Sequence, residues 1–491
     1  MVKKNISLKK NFIMNMILTM SSFIFPLITF PYVSRILLAE GTGKVSFATS
    51  LISYFTLFSQ LGVPTYGIRV CASVRDNKEE LSRTVQELFI IRFITTFVSY
   101  IAFAIVLLTV PRLQADRTLY IVVSFNIFFT FIGMEWLYKA LEQYTYITVR
   151  SIAFKFVALM AMFMLIHEKN DYVIYGGITI LAASASNIFN FLNLHKYINI
   201  KPIGNYDLKR HLKPILIFFA MSCATTIYTH LDTLMLGFMA TDTDVGYYSA
   251  AVKIKNILVS VVTSVGAVLL PRVSYYIKNG QMDSFKKVTS KALHFIILIA
   301  APMMVYFMFY AGESIRFLSG SGYEGAIIPM IIIMPTLLFI GASNLMGIQI
   351  LVPLGKEKVV LYSEILGAFL DLIINAMLIP KFTSSGAAVG TVIAEFSVAL
   401  FQLVVLKDLI IPILKEIDHF SIVGALTLAS IASLWVKAIH LNSFFTLAIS
   451  ATCFFVSYAV VLRLRKESLF IELEEQIFGW MSLRVKKWKI K

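Results

Sequence analysis

From Asn11 to Arg463 the chain is built from apolar runs of roughly twenty residues, the length that crosses a bilayer as a helix, separated by brief polar breaks. About fourteen such runs follow one another, at 11–34, 44–66, 88–110, 118–138, 146–167, 172–194, 213–238, 246–270, 290–311, 325–351, 359–380, 386–407, 420–440 and 442–462. The runs are continuous rather than alternating, which excludes an outer-membrane type of barrel, whose strands alternate over roughly ten residues. Backbone amides in hydrocarbon must be satisfied within their own segment, so the runs predict helices. The predicted fold class is an all-α polytopic membrane protein. Its connections leave no room for a soluble catalytic or regulatory domain.

Composition agrees: 58% of the 491 residues are hydrophobic, 15% are charged and mean hydropathy is +0.78, values that water would not tolerate on one soluble domain. The net charge of +16 is unevenly spread. With an N-terminus (Lys3, Lys4, Lys9, Lys10) in the cytoplasm, most Lys and Arg fall on cytoplasmic connections, densest at 196–213 and 272–291. The connection holding Asp242 and Asp244 has no basic residue and is expected outside. The positive charge therefore follows membrane topology, and no nucleic-acid partner is implied. The first run is too long for a signal-peptide core and reads as an uncleaved span. Cys71, Cys223 and Cys453 are far apart and show no metal-ligand spacing. Beyond Arg463, Leu469, Phe470, Leu473, Ile477, Trp480, Met481 and Trp488 recur at helical spacing beside Arg484, Lys486, Lys487, Lys489 and Lys491. An amphipathic helix on the inner membrane face, or one packed on the protein's own cytoplasmic loops, fits this pattern.

A repeat is visible. Gly43-Lys44-Val45-Ser46-Phe47-Ala48 opens the second run, and Gly246-Tyr247-Tyr248-Ser249-Ala250-Ala251 opens the eighth. Both read Gly-x-x-Ser-x-Ala, and each run ends near Pro then Arg: Pro64 and Arg69, Pro271 and Arg272. Six runs separate the copies, so duplicated halves would share one orientation and relate by an axis along the membrane normal.

Ionisable residues sit inside the runs, where each costs about 2.5 to 3.5 kcal/mol at the bilayer centre. Their retention implies a protein-lined or watery cavity. Arg35, Arg69, Arg92, Arg150 and Lys155 make the first half basic, while Asp232, Lys253, Lys255, Arg272, Glu364, Asp371 and Glu395 mix both signs in the second. The candidate anion-binding set is Arg35, Arg69, Arg150, Lys155, Lys253 and Arg272. Asp232, Glu364 and Asp371 are candidates for H⁺ or Na⁺ coupling. Arg69, Arg92, Arg150 and Arg272 lie near predicted inner ends, where snorkelling to the headgroups competes with any binding role. His230 beside Asp232 reads as a packing histidine before a proton site.

Enzyme motifs are lacking. Gly320-Ser321-Gly322-Tyr323-Glu324-Gly325 matches a dinucleotide fingerprint only as a string, with no strand before it, and reads as a turn in an external loop. Gly43-Lys44 lacks the rest of a P-loop, and His167-Glu168 lacks a second histidine. No cofactor or metal is expected, and ATP does not drive this chain directly. A glycan polymerase or acyltransferase would need a larger external loop.

Phe30-Pro31-Tyr32-Val33-Ser34-Arg35-Ile36-Leu37, then Gly43, then Leu61-Gly62-Val63-Pro64-Thr65-Tyr66-Gly67-Ile68-Arg69 resemble the Wzx-type oligosaccharide flippases. These form the polysaccharide transporter branch of the multidrug/oligosaccharidyl-lipid/polysaccharide superfamily. The resemblance continues through Asp232, Gly246-Tyr247-Tyr248, Leu270-Pro271-Arg272, Ile379-Pro380, Gly386-Ala387-Ala388-Val389-Gly390-Thr391 and Glu395. Leu38 and Val70 depart from it, standing where the family commonly has Gly and an acid. The resemblance implies a MATE-like fold of two six-helix lobes around a central cavity (residues 1–200 and 201–415), two extra helices (416–463) and an amphipathic cytoplasmic tail (464–491). It also implies a multi-pass protein of the bacterial plasma membrane with both termini cytoplasmic. The expected substrate is an undecaprenyl-diphosphate-linked oligosaccharide, moved to the outer leaflet by alternating access. Membrane lipids and the polymerase and assembly proteins of surface polysaccharide would be its partners. A MATE-like cation-coupled drug antiporter is the alternative.

Overall fold

The computed structural model describes residues 8–472 and 474–475, and every secondary-structure element among them is helical. Each of the fourteen apolar runs falls on helix. In chain order the first ten α-helices are α1 (Leu8–Gln60), α2 (Val63–Ser73), α3 (Lys78–Thr109), α4 (Pro111–Gln114), α5 (Arg117–Gly133), α6 (Glu135–Ala140), α7 (Tyr144–Leu165), α8 (Tyr172–Ile180), α9 (Asn187–Asn193) and α10 (Lys209–Met239). There follow α11 (Asp242–Lys278), α12 (Met282–Phe309), α13 (Ala311–Ser319), α14 (Ile327–Ile333), α15 (Thr336–Asn344), α16 (Glu357–Val405), α17 (Lys407–Glu416), α18 (His419–Ala438) and α19 (Ser443–Leu464). Nine helical stretches among the described residues are long and apolar enough to cross a membrane, or eleven if each of two bent pairs counts as one.

At about 1.5 Å per residue, the 53 residues of α1 and the 49 of α16 would far exceed a hydrocarbon layer about 30 Å thick. Each is broken where one residue leaves helical geometry, Leu38 (φ 56°) in α1 and Thr383 (φ 47°) in α16, so each supplies two membrane-length arms. The 41° bend between Ser264 and Leu269 of α11 lies just before Pro271, whose ring displaces the carbonyl four residues earlier. A 48° bend between Ile333 and Thr336 falls at Pro335 in the same way.

The chain condenses into two compact units. One holds Met1–Ser249, Ser319–Tyr323 and Ile379–Ser384; the other holds Ala250–Leu318, Glu324–Leu378 and Ser385–Lys491. In the first unit, α3 shows the inverted pattern that lipid imposes. Phe93, Phe97, Ile101 and Leu108 are exposed on one stripe, while Glu87, Arg92, Thr96 and Ser99 are buried on the opposite one. In the second unit the α18–α19 hairpin is tied to α12 by tyrosine hydroxyls. Tyr306 donates to the Leu447 carbonyl (2.9 Å), Tyr310 to the Ser433 carbonyl (2.6 Å) and Tyr458 to the Leu298 carbonyl (3.2 Å).

After α19 the chain turns at Lys466 (φ 54°) into a short helical stretch headed by Glu467. Burial pushes the Glu467 carboxyl up, but His294, 2.9 Å away, and the backbone N–H groups of Phe470 and Leu469 outweigh it and hold the carboxyl below the usual glutamate range. Lys291 and Glu472 pair one turn further on. This stretch therefore packs on α12. Leu473, Ile477, Trp480, Met481, Arg484, Lys486, Lys487, Trp488, Lys489 and Lys491 of the expected tail lie outside the described residues.

Arg92 illustrates how the first unit closes a helix end inside the apolar layer. α5 stops at Gly133 because Met134 turns left-handed (φ 40°), leaving its last carbonyls without helical partners. Arg92 is 2% exposed and donates to the carbonyls of Thr130 (3.0 Å) and Phe131 (3.3 Å), while Asn190 Nδ2 donates to Gly133 (2.6 Å). A cation at a helix C-terminus is electrostatically well placed. Snorkelling, the competing expectation for Arg92, is ruled out by this burial. Replacing Arg92 with leucine leaves two buried carbonyls unmet and is expected to cost about 2–4 kcal/mol, read as a lowered melting temperature of the purified protein, with Arg92→Lys recovering part of it.

Candidate functional site

Within the first unit, the second arm of α1 runs beside α10, and α2 and α5 close the sides of a hollow of about 450 Å³. Ser53, Thr56 and Gln60 face it from α1, Thr65 from α2, Asn126 from α5, and Ser222, Thr225, Thr226 and His230 from α10. Leu57, Phe218 and Met221 complete the wall. Spacings of three and four residues put each set on one helix face. Some of the polar groups are bound locally: Thr56 and Thr225 bond back to carbonyls of Ile52 (2.8 Å) and Met221 (3.3 Å), and Asn126 Nδ2 donates to Thr56 (3.4 Å). Among the described residues the lining carries hydroxyl and amide groups, one imidazole and no carboxylate, ammonium or guanidinium. Such a wall can donate to and accept from hydroxyls without a fixed charge.

At the Leu38–Gly43 end of the same arm, the two copies of the sequence repeat meet. A Cβ on Gly43 would overlap the Asp242 carbonyl and come within 2.8 Å of Gly246 N; one on Gly246 would overlap the Ala39 carbonyl, 2.6 Å from its carbon. Gly43 and Gly246 are corresponding positions of the repeat, and so are Ala39 and Asp242, four residues before each. The contact is therefore reciprocal, as across a two-fold axis. Ion pairs surround it: Arg112 binds Asp242 (2.7 Å) and the Gly237 carbonyl (3.2 Å), and Lys44 (3.2 Å) and the Tyr172 hydroxyl (2.6 Å) bind Asp116. Tyr323 is fully buried at the α1 break, bonded to Thr42 (2.6 Å) and to the Leu38 carbonyl (2.9 Å). The Gly320–Gly325 string, expected to be a loop turn, is thus mostly a 3₁₀ segment (Ser321–Ala326) that plants this tyrosine.

None of the nine candidate anion-binding and coupling residues lines the hollow, whereas His230, read from sequence as a packing histidine before a proton site, does. Arg35 is exposed and lies against Gly320 beside the α1 break, with its guanidinium returning to the Pro31 carbonyl. Arg69 and Arg272 are exposed on α2 and α11. Arg150 is 8% exposed on α7, and Lys155, one turn and a half along, bonds to Ser21 (2.8 Å) and Ser22 (3.0 Å) of α1. Asp232 is buried and accepts a hydrogen bond from Tyr248, the third residue of the Gly246 block. In the second unit Lys253 and Glu364 are half-buried, and Asp371 is buried with its Oδ1, like Asn375 Oδ1, pressed near Gly390. The structure thus sets Lys155 against α1 and Arg150 against Glu135 and Tyr146, and couples Asp232 to the repeat.

Sequence reasoning missed a buried ionic cluster. Glu87, 0% exposed, accepts from Arg210 Nε (3.1 Å), His211 Nε2 (2.7 Å) and the Asp207 backbone N–H (2.8 Å), and His211 Nδ1 meets the Tyr66 hydroxyl (2.8 Å). This network clamps the 194–209 connection and the start of α10 onto α3 and α2. Glu87 adjoins the beginning of an apolar run, and its partners lie 120 to 124 residues later, so spacing carried no signal.

The family described as "Polysaccharide biosynthesis protein" matches residues 8–277, more than half of the chain, and the family described as MatE matches 218–377. The chain belongs to the polysaccharide biosynthesis protein family. The "Putative O-antigen transporter" of Escherichia coli (strain K12) is 24% identical over 82% of this chain and 97% of that one. The "Capsular polysaccharide biosynthesis protein CapF" of Staphylococcus aureus is 25% identical over 46% of this chain and 60% of its own length. Among solved structures, "Lipid II flippase MurJ, inward closed conformation" superposes with a TM-score of 0.70 over 92% of this chain and 98% of that one, at 16% identity. The chain has that fold.

The reciprocal joint makes a direct prediction. In a background lacking the native cysteines, a cysteine at Thr42, 1% exposed here, should react faster with a membrane-impermeant maleimide when Gly43 or Gly246 becomes valine. Equal labelling rates in the glycine and valine backgrounds would show that the joint does not hold this end closed.

Proposed function

We propose that this chain is a flippase that carries an undecaprenyl-diphosphate-linked oligosaccharide from the inner to the outer leaflet of a bacterial plasma membrane, supplying cell-surface polysaccharide. It acts by alternating access as a secondary transporter rather than an enzyme. Both termini face the cytoplasm, with six-helix lobes at 1–200 and 201–415 and two further helices at 416–463. An inside-negative potential favours outward movement of the anion by about 2.3 kcal/mol per charge per 100 mV, and Asp232, Glu364 or Asp371 couples H⁺ or Na⁺ if an ion is needed. The polymerase and assembly proteins of the polysaccharide receive the product.

The observation that carries this reading is the neutral, hydroxyl- and amide-rich hollow between α1 and α10. A sugar entering hydrocarbon loses water from many hydroxyls, each costly unless re-bonded, and a wall of Ser, Thr, Asn and Gln with apolar patches replaces those bonds at any glycan orientation. A drug antiporter for cations would be served by carboxylates, which this lining lacks. Support also comes from relatives named for O-antigen transport and capsular polysaccharide.

Expressed in a strain deprived of its own repeat-unit flippase, the chain should restore surface glycan. Asn126→Leu together with Thr226→Val should cut that restoration about tenfold at equal protein level, the effect of roughly 1.4 kcal/mol of lost hydrogen bonding. Unaltered surface glycan in the double variant, or failure of the wild-type chain with gain of cationic dye efflux, would overturn the assignment.

A further inference from the structure

Four hydroxyls that face the hollow have already spent their protons. Ser53 donates to the Thr49 carbonyl (2.8 Å), Thr56 to that of Ile52 (2.8 Å), Ser222 to that of Phe218 (3.0 Å) and Thr225 to that of Met221 (3.3 Å). Each bond reaches four positions back along the same helix, and since a carbonyl has no proton to give, the hydroxyl must be the donor. What these four side chains keep for the space is therefore lone pairs. Asn126 extends the pattern: its Nδ2 donates to Thr56 Oγ1 (3.4 Å), which leaves its Oδ1 to accept.

The wall is thus weighted toward acceptors over a stretch shared by α1, α5 and α10. Gln60, Thr226 and His230 can still donate, through an amide, a hydroxyl and an imidazole, and among the described residues the lining has no lysine or arginine. Arg69 stands one turn beyond Thr65 on α2 and lies outside the lining. A sugar hydroxyl brings a proton to such a wall and is bonded by it. A carboxylate brings only lone pairs and a charge. It loses its water on entry and meets mostly other acceptors, without the cation that would bind it strongly.

We infer that the hollow selects glycans whose contacting sugars carry hydroxyl or amide donors, and rejects uronic and other acidic sugars at that position. This rests on the flippase reading and names the class of sugar that the same hollow takes. Rejection is the stronger half of the selection, because an acceptor set against an acceptor loses its bond on both sides.

The test uses the purified full-length protein in nanodiscs of phosphatidylcholine, with three farnesyl diphosphate-linked sugars as probes: glucose, glucuronic acid and glucuronamide. The acid and the amide share a shape and differ in whether the outer group is an anionic acceptor or a neutral N–H donor. Wild type should bind the glucose and glucuronamide probes within about threefold of each other and the glucuronate probe about tenfold more weakly. Thr225 is exposed, so Thr225→Lys can set an ammonium on the lining, and it should bring the glucuronate probe within about threefold of the glucose probe; Ser222→Lys should do the same and carries this arm if the first variant fails to fold. Equal wild-type affinity for glucose and glucuronate overturns the inference and leaves the flippase reading standing. So does an amide that binds as weakly as the acid, since shape and not donors would then decide, and so does a glucuronate affinity that neither lysine moves. Binding of none of the three probes would overturn the flippase reading together with the inference.

Discussion

The constraint on which this structure depends is that a helix ending within hydrocarbon must have its last carbonyls met by something other than water. At Gly133 the answer is Arg92 and Asn190, and at Leu38 it is Tyr323. These are long-range bonds, from residues 38 to 285 positions away from the group they serve. They fix where α3, α9 and the 319–323 segment sit in the first unit, and so fix the wall against which α1 and α10 open their hollow. Packing of apolar surface could not do this, because lipid offers each helix the same contact that a neighbour does.

Buried charge is sorted by task. Arg92 is spent on a helix end, Glu87 on the clamp that seats the connection before α10, and Arg112 and Asp116 on the rim of the joint between repeats. Each has its partners within the protein. Glu135 stands apart, one carboxylate shared between two cations, Lys139 and Arg150. Among the described residues the lining of the hollow has no carboxylate, ammonium or guanidinium.

The helices were legible because a twenty-residue apolar run in lipid has few alternatives, and Gly43 and Gly246 were legible because close backbone approach leaves so short a list of residues. The roles of the charges were not. Arg92 and Arg150 look alike in sequence, each basic and near a predicted span end, yet one caps a carbonyl pair and the other keeps unused donors; the difference lies in where α5 stops, which Met134 decides without a proline or glycine of its own. Ser53, Thr56, Thr225 and Thr226 passed unnoticed because small hydroxyls are common at helix contacts, and only the folded pairing of α1 with α10 turns them toward one space. Tyr323 sat in a glycine-rich string whose spacing suggested a turn and hid an anchor.

The joint at Gly43 and Gly246 is made of main chain on both sides, so it takes no account of what the surrounding side chains are. A contact of that kind survives almost any drift in its flanks. It would let one copy of the repeat carry Lys44 and the other Tyr247 at the next position, and let the two copies grow chemically unlike, while the approach of their main chains stays the same.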